Sequence, residues 1–327
     1  MSSFSMKWLI AIVLLLCSCS EEQVGVGYFH DIPGQDISNR KKVHVSAIRT
    51  DTLKNSLGRI PTIRRTENGT IFVLDKSTER IHVYDKLLNS IAVYGVTGRG
   101  PGEFSNITSF DVRDDGTLFI VDYGASRITI IDARGTLYQR TIVDRVKSIG
   151  VTSRNALVSS TLSKPFLTVV DDSLNTVDAH HFYQGDPLDV FRYVDGSMDG
   201  YSNGVVLSTM YSGLLIVFDS DGIVQRSRRS ITSPRIESLD PRVDGALPPD
   251  VVFDWLINAT DSNIYLTTAG GPTAPVIDVY STNSLEYVYS FDLLDPDCGP
   301  RFIEDDMYVS ACADTGDILV SKIAIRE

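Results

Sequence analysis

The sequence predicts an all-β fold: a six-bladed β-propeller of four-stranded antiparallel blades, closed by an N-terminal strand that joins the last blade. Three observations carry that reading. The first is an internal echo, in which residues 69–85 and 116–132 are one unit written twice, 47 residues apart, with seven of seventeen positions identical. A period near this length marks an array of β units that bury their faces against one another. The second is texture: after residue 42 the chain is short β-branched and aromatic runs bounded by Gly, Asn and Asp, with no sustained helical period. The third is a spacing in which an apolar residue of one strand precedes an aspartate at the end of the next. Phe72 to Asp85, Phe119 to Asp132 and Val206 to Asp219 are 13 apart, and Leu157 to Asp171 is 14.

These give four clear units, and two weaker ones follow. Asn263 to Thr268 pairs with Val276 to Tyr280, and Met307 to Ala311 pairs with Ile318 to Ile323. Six units fill residues 43–327 as one ring, within the usual range of blade numbers. The last unit has too little chain after Ile323 for a fourth strand, whereas Val43 to Ile48 reads as a strand with no unit of its own. Sharing one blade between them closes the ring and removes open sheet edges.

Ahead of the ring, Lys7 precedes an apolar run from Trp8 to Leu16. A bilayer span needs about 20 residues, so this run has the proportions of a signal peptide, residues 1–18. Leu16-Cys17-Ser18-Cys19 resembles the bacterial lipobox, in which a small residue precedes the cysteine that is diacylated. Ser18 meets that requirement for Cys19, whereas Leu16 does not for Cys17, so Cys19 is the expected lipid anchor. Ser20-Glu21-Glu22 lacks an inner-membrane retention aspartate and resembles the surface-export signal of Bacteroidetes lipoproteins. That resemblance implies a lipid-anchored outer-membrane address, on the periplasmic or the cell-surface side. Residues 19–42 are polar and aperiodic, as a flexible tether would be.

The chain holds 30 basic and 42 acidic side chains, a formal net charge of −12. Such a surface repels phosphate backbones, which excludes nucleic acid as an expected partner. Beyond the expected anchor, Cys19, only Cys298 and Cys312 remain. In an oxidising compartment they pair as a disulfide or stay as two buried thiols, and the sequence leaves both open. No CxxC or HxxxH spacing offers a zinc site, and no GxSxG or phosphate-binding glycine loop is present, so no cofactor is expected.

Tyr94 to Phe104 (YGVTGRGPGEF), followed by Asp114 to Asp122 and Arg127 to Gly135, resembles the NHL-type propeller repeat. The chain is most similar to the six-bladed propeller lipoproteins common in Bacteroidetes, a likeness specific across about residues 63 to 135. Gly100-Pro101-Gly102 fits a type II turn, which lets Phe104 wedge between blades. Arg80 and Arg127 fit local salt bridges to Asp75 and Asp122. Arg99 lies with Glu103 in a blade-to-blade connection, where it reads as an ion pair or as a ligand contact.

The spacing breaks after Asp219, where residues 226–250 read as an insertion. It carries Arg226, Arg228, Arg229, Arg235 and Arg242, a cluster suited to capturing a carboxylate or phosphate, or to balancing local charge. Trp255 reads as a wedge equivalent to Phe104 or as a sugar platform. Adjacent His180 and His181 point to opposite faces of a strand and cannot readily share a metal. Asp195 to Gly200 reads as a glycine-rich turn, since Val206 stands where a calcium loop needs glutamate.

The expected function is a non-catalytic module that binds a glycan, a peptide or an envelope protein. The alternative is a propeller hydrolase or lyase at the channel mouth, with Asp75, Asp122, His181 and Asp254 as its first candidates. In cells fed an alkyne analogue of palmitate, the chain is expected to take up label. Cys19→Ala should abolish that label and Cys17→Ala should retain it; the reverse pattern refutes the assignment.

Overall fold

The computed structural model describes residues 35, 37–54, 57–141, 146–160, 166–180, 196–209, 212–231, 253–269, 275–295, 297–304 and 306–326. Among them there is no α-helix, and the strands form six four-stranded antiparallel sheets. The first strand, β1 (His44–Leu53), stands before any blade. Blade 1 follows as β2 (Ile63–Arg65), β3 (Ile71–Asp75), β4 (Arg80–Tyr84) and β5 (Ser90–Tyr94). Blade 2 is β6 (Ile107–Val112), β7 (Leu118–Asp122), β8 (Arg127–Ile131) and β9 (Leu137–Thr141). Blade 3 is β10 (Val146–Val151), β11 (Ala156–Ser160), β12 (Leu167–Val170) and β13 (Thr176–His180). Blade 4 is β14 (Gly196–Tyr201), β15 (Gly204–Thr209), β16 (Leu214–Asp219) and β17 (Val224–Arg229). Blade 5 is β18 (Phe253–Ala259), β19 (Asn263–Ala269), β20 (Val276–Ser281) and β21 (Tyr287–Asp292).

Blade 6 is β22 (Gly299–Glu304), β23 (Met307–Ala311) and β24 (Ile318–Arg326), with β1 as its fourth strand. β1 runs antiparallel to β24, from His44 opposite Arg326 to Leu53 opposite Ile318. The first strands touch one another in sequence around the axis, and β2 meets both β6 and β22, so the ring is closed. This is a six-bladed propeller fastened by its N-terminal strand, as the sequence predicts.

The core is divided among the seams. Six apolar clusters each join the facing sides of two neighbouring blades, and the cluster of blades 6 and 1 completes the circuit. Phe104 is fully buried between blades 1 and 2, packed with Phe72, Leu74 and Phe110. The turn that delivers it has the predicted form: Gly102 has φ +75°, and the Glu103 N–H donates to the Gly100 carbonyl at 3.1 Å.

The recurring aspartate has a physical role at the turn between third and fourth strands. Asp85 Oδ1 accepts the N–H groups of Leu87 and Asn89, two and four residues ahead. Asp132, Asp171 and Asp219 repeat the pattern on Arg134 and Thr136, Ser173 and Asn175, and Asp221 and Ile223. Each carboxylate therefore satisfies the donors of a tight turn. Hydrogen bonds hold three of these carboxyls below their ordinary range, chiefly the Asn89 side chain at Asp85 and the Thr136 and Asn175 amides at Asp132 and Asp171.

Several expectations are corrected. Arg226, Arg228 and Arg229 lie on β17, the outermost strand of blade 4, and not in an inserted loop. Trp255 is not a wedge. It is half exposed on β18, because the alternation of the strand turns Leu256 into the seam of blades 4 and 5 instead. Asp195 lies outside the described residues, but residues 196–200, read as part of a turn, belong to the strand β14. Arg127 lies 3.2 Å from Asp122 as expected. Asp75, in contrast, takes the Ser77 amide and the Thr78 hydroxyl, and among the described residues it forms no ion pair with Arg80. Glu103 does not pair with the Arg99 guanidinium, since its Oε2 accepts the N–H groups of Arg99 and Gly100 and closes the turn. Cys298 and Cys312 are joined by a disulfide 14 residues apart, a loop length that stabilises by about 3 kcal/mol on the chain-entropy model.

Candidate functional site at the channel mouth

Register builds a layer of residues around the axis. In blades 1 to 4 one residue of the first strand lies opposite the apolar residue of the second strand that carries the repeat spacing, and in blades 5 and 6 opposite a tyrosine of the second strand. Arg64 faces Phe72, Asp111 faces Phe119 and Gly150 faces Leu157. Asp199 faces Val206, Asn258 faces Tyr265 and Ile303 faces Tyr308. Six equivalent positions thus share one level of the channel, and they are chemically unlike.

The differences complement one another. Arg64 Nε lies 2.7 Å from Asp199 Oδ1 and 3.3 Å from Asp111 Oδ1, so one guanidinium of blade 1 bridges carboxylates of blades 2 and 4. Asp111 Oδ2 accepts the N–H of Val151 in blade 3 at 2.7 Å and of Gly200 in blade 4 at 3.0 Å. Asp199 Oδ2 accepts the N–H of Ala259 in blade 5 at 2.6 Å. Asn258 then holds blade 6, donating from Nδ2 to the Ile303 carbonyl and accepting the Ile303 N–H. Every blade is tied to this polar layer. Gly200 is required where it stands, because a Cβ there would come within 1.7 Å of the Val151 carbonyl oxygen and hold blades 3 and 4 apart.

The layer is buried and charged. Arg64 is 8% exposed, and Asp111 and Asp199 are each 3% exposed. One cation faces two carboxyls, and burial favours the neutral acid. Asp199 is pushed up to about 7, by burial first, against the Arg64 charge and helped by the charge of Asp111. Asp111 shifts the same way for the same leading reason, opposed by Arg64 and by the amides it accepts. The two carboxyls titrate as a pair that keeps a proton far above the ordinary carboxylate range.

Above this floor opens a cavity of about 490 Å³, the size of a small-molecule site. Its walls are the turns between first and second strands, with Glu67, Asp114, Asp115, Ser153, Asp261 and Glu304 among the lining groups. Seven carboxyl side chains and three guanidinium groups line it in all. The cations are taken: Arg64 by the floor, Arg65 by Glu304 at 2.6 Å and Arg113 by Asp172 at 2.6 Å. Among the described residues, Glu67, Asp114, Asp115 and Asp261 have no ion-pair partner. Several serve the turns instead, as Asp114 accepts the Glu67 N–H and Asp261 accepts the Ser202 N–H.

Among the described residues, the site candidates Asp75, Arg99, Asp122, Arg228, Arg229 and Trp255 do not line this mouth, whereas Asp199 and Gly200, expected from the sequence in a turn, do. Arg99 is exposed in the connection from β5 to β6, which emerges at the opposite end of the ring from the mouth. Arg228 pairs with Glu286 at 3.3 Å on the perimeter, and the Arg229 carbonyl accepts from Gln35. Asp122 is fully buried beneath the Ser105, Asn106 and Ala125 amides. Cys19, His181, Arg235 and the Asp254 side chain lie outside the described residues. The residues missed are Arg64, Asp111 and Asp199. Their sequence signal is positional: each stands seven or eight residues before the apolar residue of its unit.

The comparisons with known proteins agree with this architecture. A family model described as a six-bladed beta-propeller, DUF5128, matches residues 39–153. A search of curated proteins finds no match. Among solved structures, a Bacteroides fragilis protein described as exported is similar over 90% of this chain and 99% of its own, at 13% identity and a TM-score of 0.63. A DUF4221-family protein of Bacteroides vulgatus is similar over 88% and 100%, at 10% identity and 0.58. Virginiamycin B lyase of Staphylococcus aureus follows over 85% and 99%, at 9% identity and 0.55. At these identities the likeness is one of fold.

The raised carboxyl makes a signed prediction. A folded-state value of about 7 against an ordinary 3.8 means that the native state binds the extra proton between those limits, so stability falls as pH rises through that window. The protein should lose about 2 to 4 kcal/mol of unfolding free energy between pH 5 and pH 8. Asp199→Asn, which keeps an oxygen for the Ala259 N–H, should flatten that slope. Denaturant unfolding at the two pH values checks this; an equal slope in both proteins contradicts it. Asp85, Asp132 and Asp171 do not confuse the reading, because hydrogen bonds hold their carboxyls below the ordinary value.

Proposed function

We propose that this chain is a lipid-anchored envelope propeller that binds, without chemical turnover, a ligand or protein segment carrying positive charge at the channel mouth. The carrying observation is the cavity itself: carboxylates that have no cation partner among the described residues ring an opening floored by Arg64, Asp111 and Asp199. A ligand ammonium or guanidinium group would find there carboxylates that no cation among the described residues neutralises. The leader, Cys19 and the polar segment after it support the envelope address, as does the fold likeness to a Bacteroides protein described as exported.

Binding is favoured over catalysis by the state of the floor. A general acid or base must reach its substrate directly or through one water. Asp111 already serves Arg64 and three amides, and Asp199 serves Arg64 and one amide. Likeness to a lyase at 9% identity adds the fold and nothing about chemistry.

The arginine-rich segment first suspected of binding gives an opposite expectation, an anionic ligand, so the two readings separate cleanly. Spermine and a lysine-rich decapeptide should bind, with affinity falling as salt rises. Asp114→Asn with Asp261→Asn should weaken that binding about tenfold or more. Arg228→Ser, Arg229→Ser and Arg235→Ser together should leave it unchanged. Calorimetric titration checks this, and failure of both cationic probes to bind, or binding of dextran sulfate lost with the arginines, overturns the reading.

A further inference from the structure

The segment just before β1 is fastened to the outside of blade 5. Gln35 Nε2 donates to the carbonyls of Arg229 in blade 4 and Leu285 in blade 5, and its Oε1 accepts the Tyr287 N–H at 2.6 Å. Arg40 reaches inward to Asp278, whose side chain is fully buried, with 2.7 Å between them. The Ser290 hydroxyl completes Asp278 on its other oxygen. Lys41 and Val43 then lie parallel to β21, exchanging two backbone hydrogen bonds of 2.8 Å with Ser290. The Tyr287 hydroxyl takes the Lys41 N–H and donates to its carbonyl. Residues 35 and 37–43 therefore form a strap along the edge strand of blade 5, and only the residues before Gln35 remain for the tether.

The position of the strap matters more than its contacts taken singly. Among the described residues, β1 on β24 is the strand pairing that ties the start of the chain into the last blade, and β1 begins at His44, immediately after the strap. A pull on the N-terminal segment would otherwise act at His44, the end of an antiparallel pair, where hydrogen bonds break one after another. With the strap in place the pull meets Gln35 and the buried Arg40 to Asp278 pair first, on a different blade. Removing Arg40 would leave Asp278 buried without its cation, which makes release of the strap costly.

We infer that residues 35 and 37–43 are a second latch on the ring, which holds β1 closed and shields it from tension on the N-terminal segment. Its use under tension rests on the proposed lipid anchor; its action as a latch does not. The latch requires that β1 opens only after the strap lets go, so the two must be coupled.

Hydrogen exchange on the full chain with Cys19→Ser, which carries no lipid, tests this independently of the anchor. Arg40→Ala should speed exchange of the β1 amides by about tenfold, the loss of one charge-assisted bond, and leave β11 in blade 3 unchanged. Gln35→Ala removes only bonds to backbone groups and should move β1 in the same direction by a smaller factor, which keeps the test open if Arg40→Ala fails to fold. Faster exchange across residues 37–43 with β1 unmoved in Gln35→Ala would overturn the inference, because the strap would then fray without reaching the closure. Lost palmitate labelling without a change in this coupling would refute the anchor and leave the latch.

Discussion

One guanidinium placed between two buried carboxyls is the constraint on which the centre of this propeller depends. Apolar seams hold neighbouring blades, but each seam knows only its own pair. Arg64 acts across the axis, from blade 1 to blades 2 and 4, and the amides taken by its partners extend the contact to blades 3 and 5. Asn258 adds blade 6 without charge. A buried ion cluster of this kind adds little net stability over an apolar core, yet removing Arg64 leaves two buried carboxyls without their cation, at a cost of about 3 to 5 kcal/mol. Its contribution lies in specifying one ring, with six blades in fixed register, over looser arrangements of the same repeats.

The same layer decides what the mouth can be. Buried Arg64, Asp111 and Asp199 form the floor of the cavity above them. Its walls come from turns, whose sequences vary without disturbing the strands. In this chain those turns carry Glu67, Asp114, Asp115 and Asp261, and the cup is acidic while the perimeter strand β17 carries Arg226, Arg228 and Arg229. Charge is thus sorted by place, the cationic edge facing outward and the anionic cup lying on the axis.

How much of this was legible in the sequence follows from where information repeats. Gly69 and Gly116 are constrained by a turn geometry shared by blades 1 and 2, and Asp85 and Asp132 by one that recurs in blades 1 to 4, so the echo and its spacing revealed the blades, their number and the closing strand. Phe104 was legible because its turn residues are diagnostic. Trp255 was not, since burial depends on which of two adjacent residues the strand turns inward, and a shift of one position exchanges them. The arginines of β17 looked like a loop because the unit that follows is displaced. Arg64, Asp111 and Asp199 were hidden for the opposite reason: they share a position but not a residue type, and their meaning lies in contacts across the ring that no linear spacing displays.

A double-mutant cycle on unfolding free energy, pairing Arg64→Met with Asp199→Asn at pH 8, bears most directly on the axial layer. If the guanidinium and the carboxyl act as one unit, the two substitutions should be non-additive, with a coupling of about 2 kcal/mol. Additivity within about 0.5 kcal/mol would mean that blades 1 and 4 do not depend on one another across the channel, and would contradict the account.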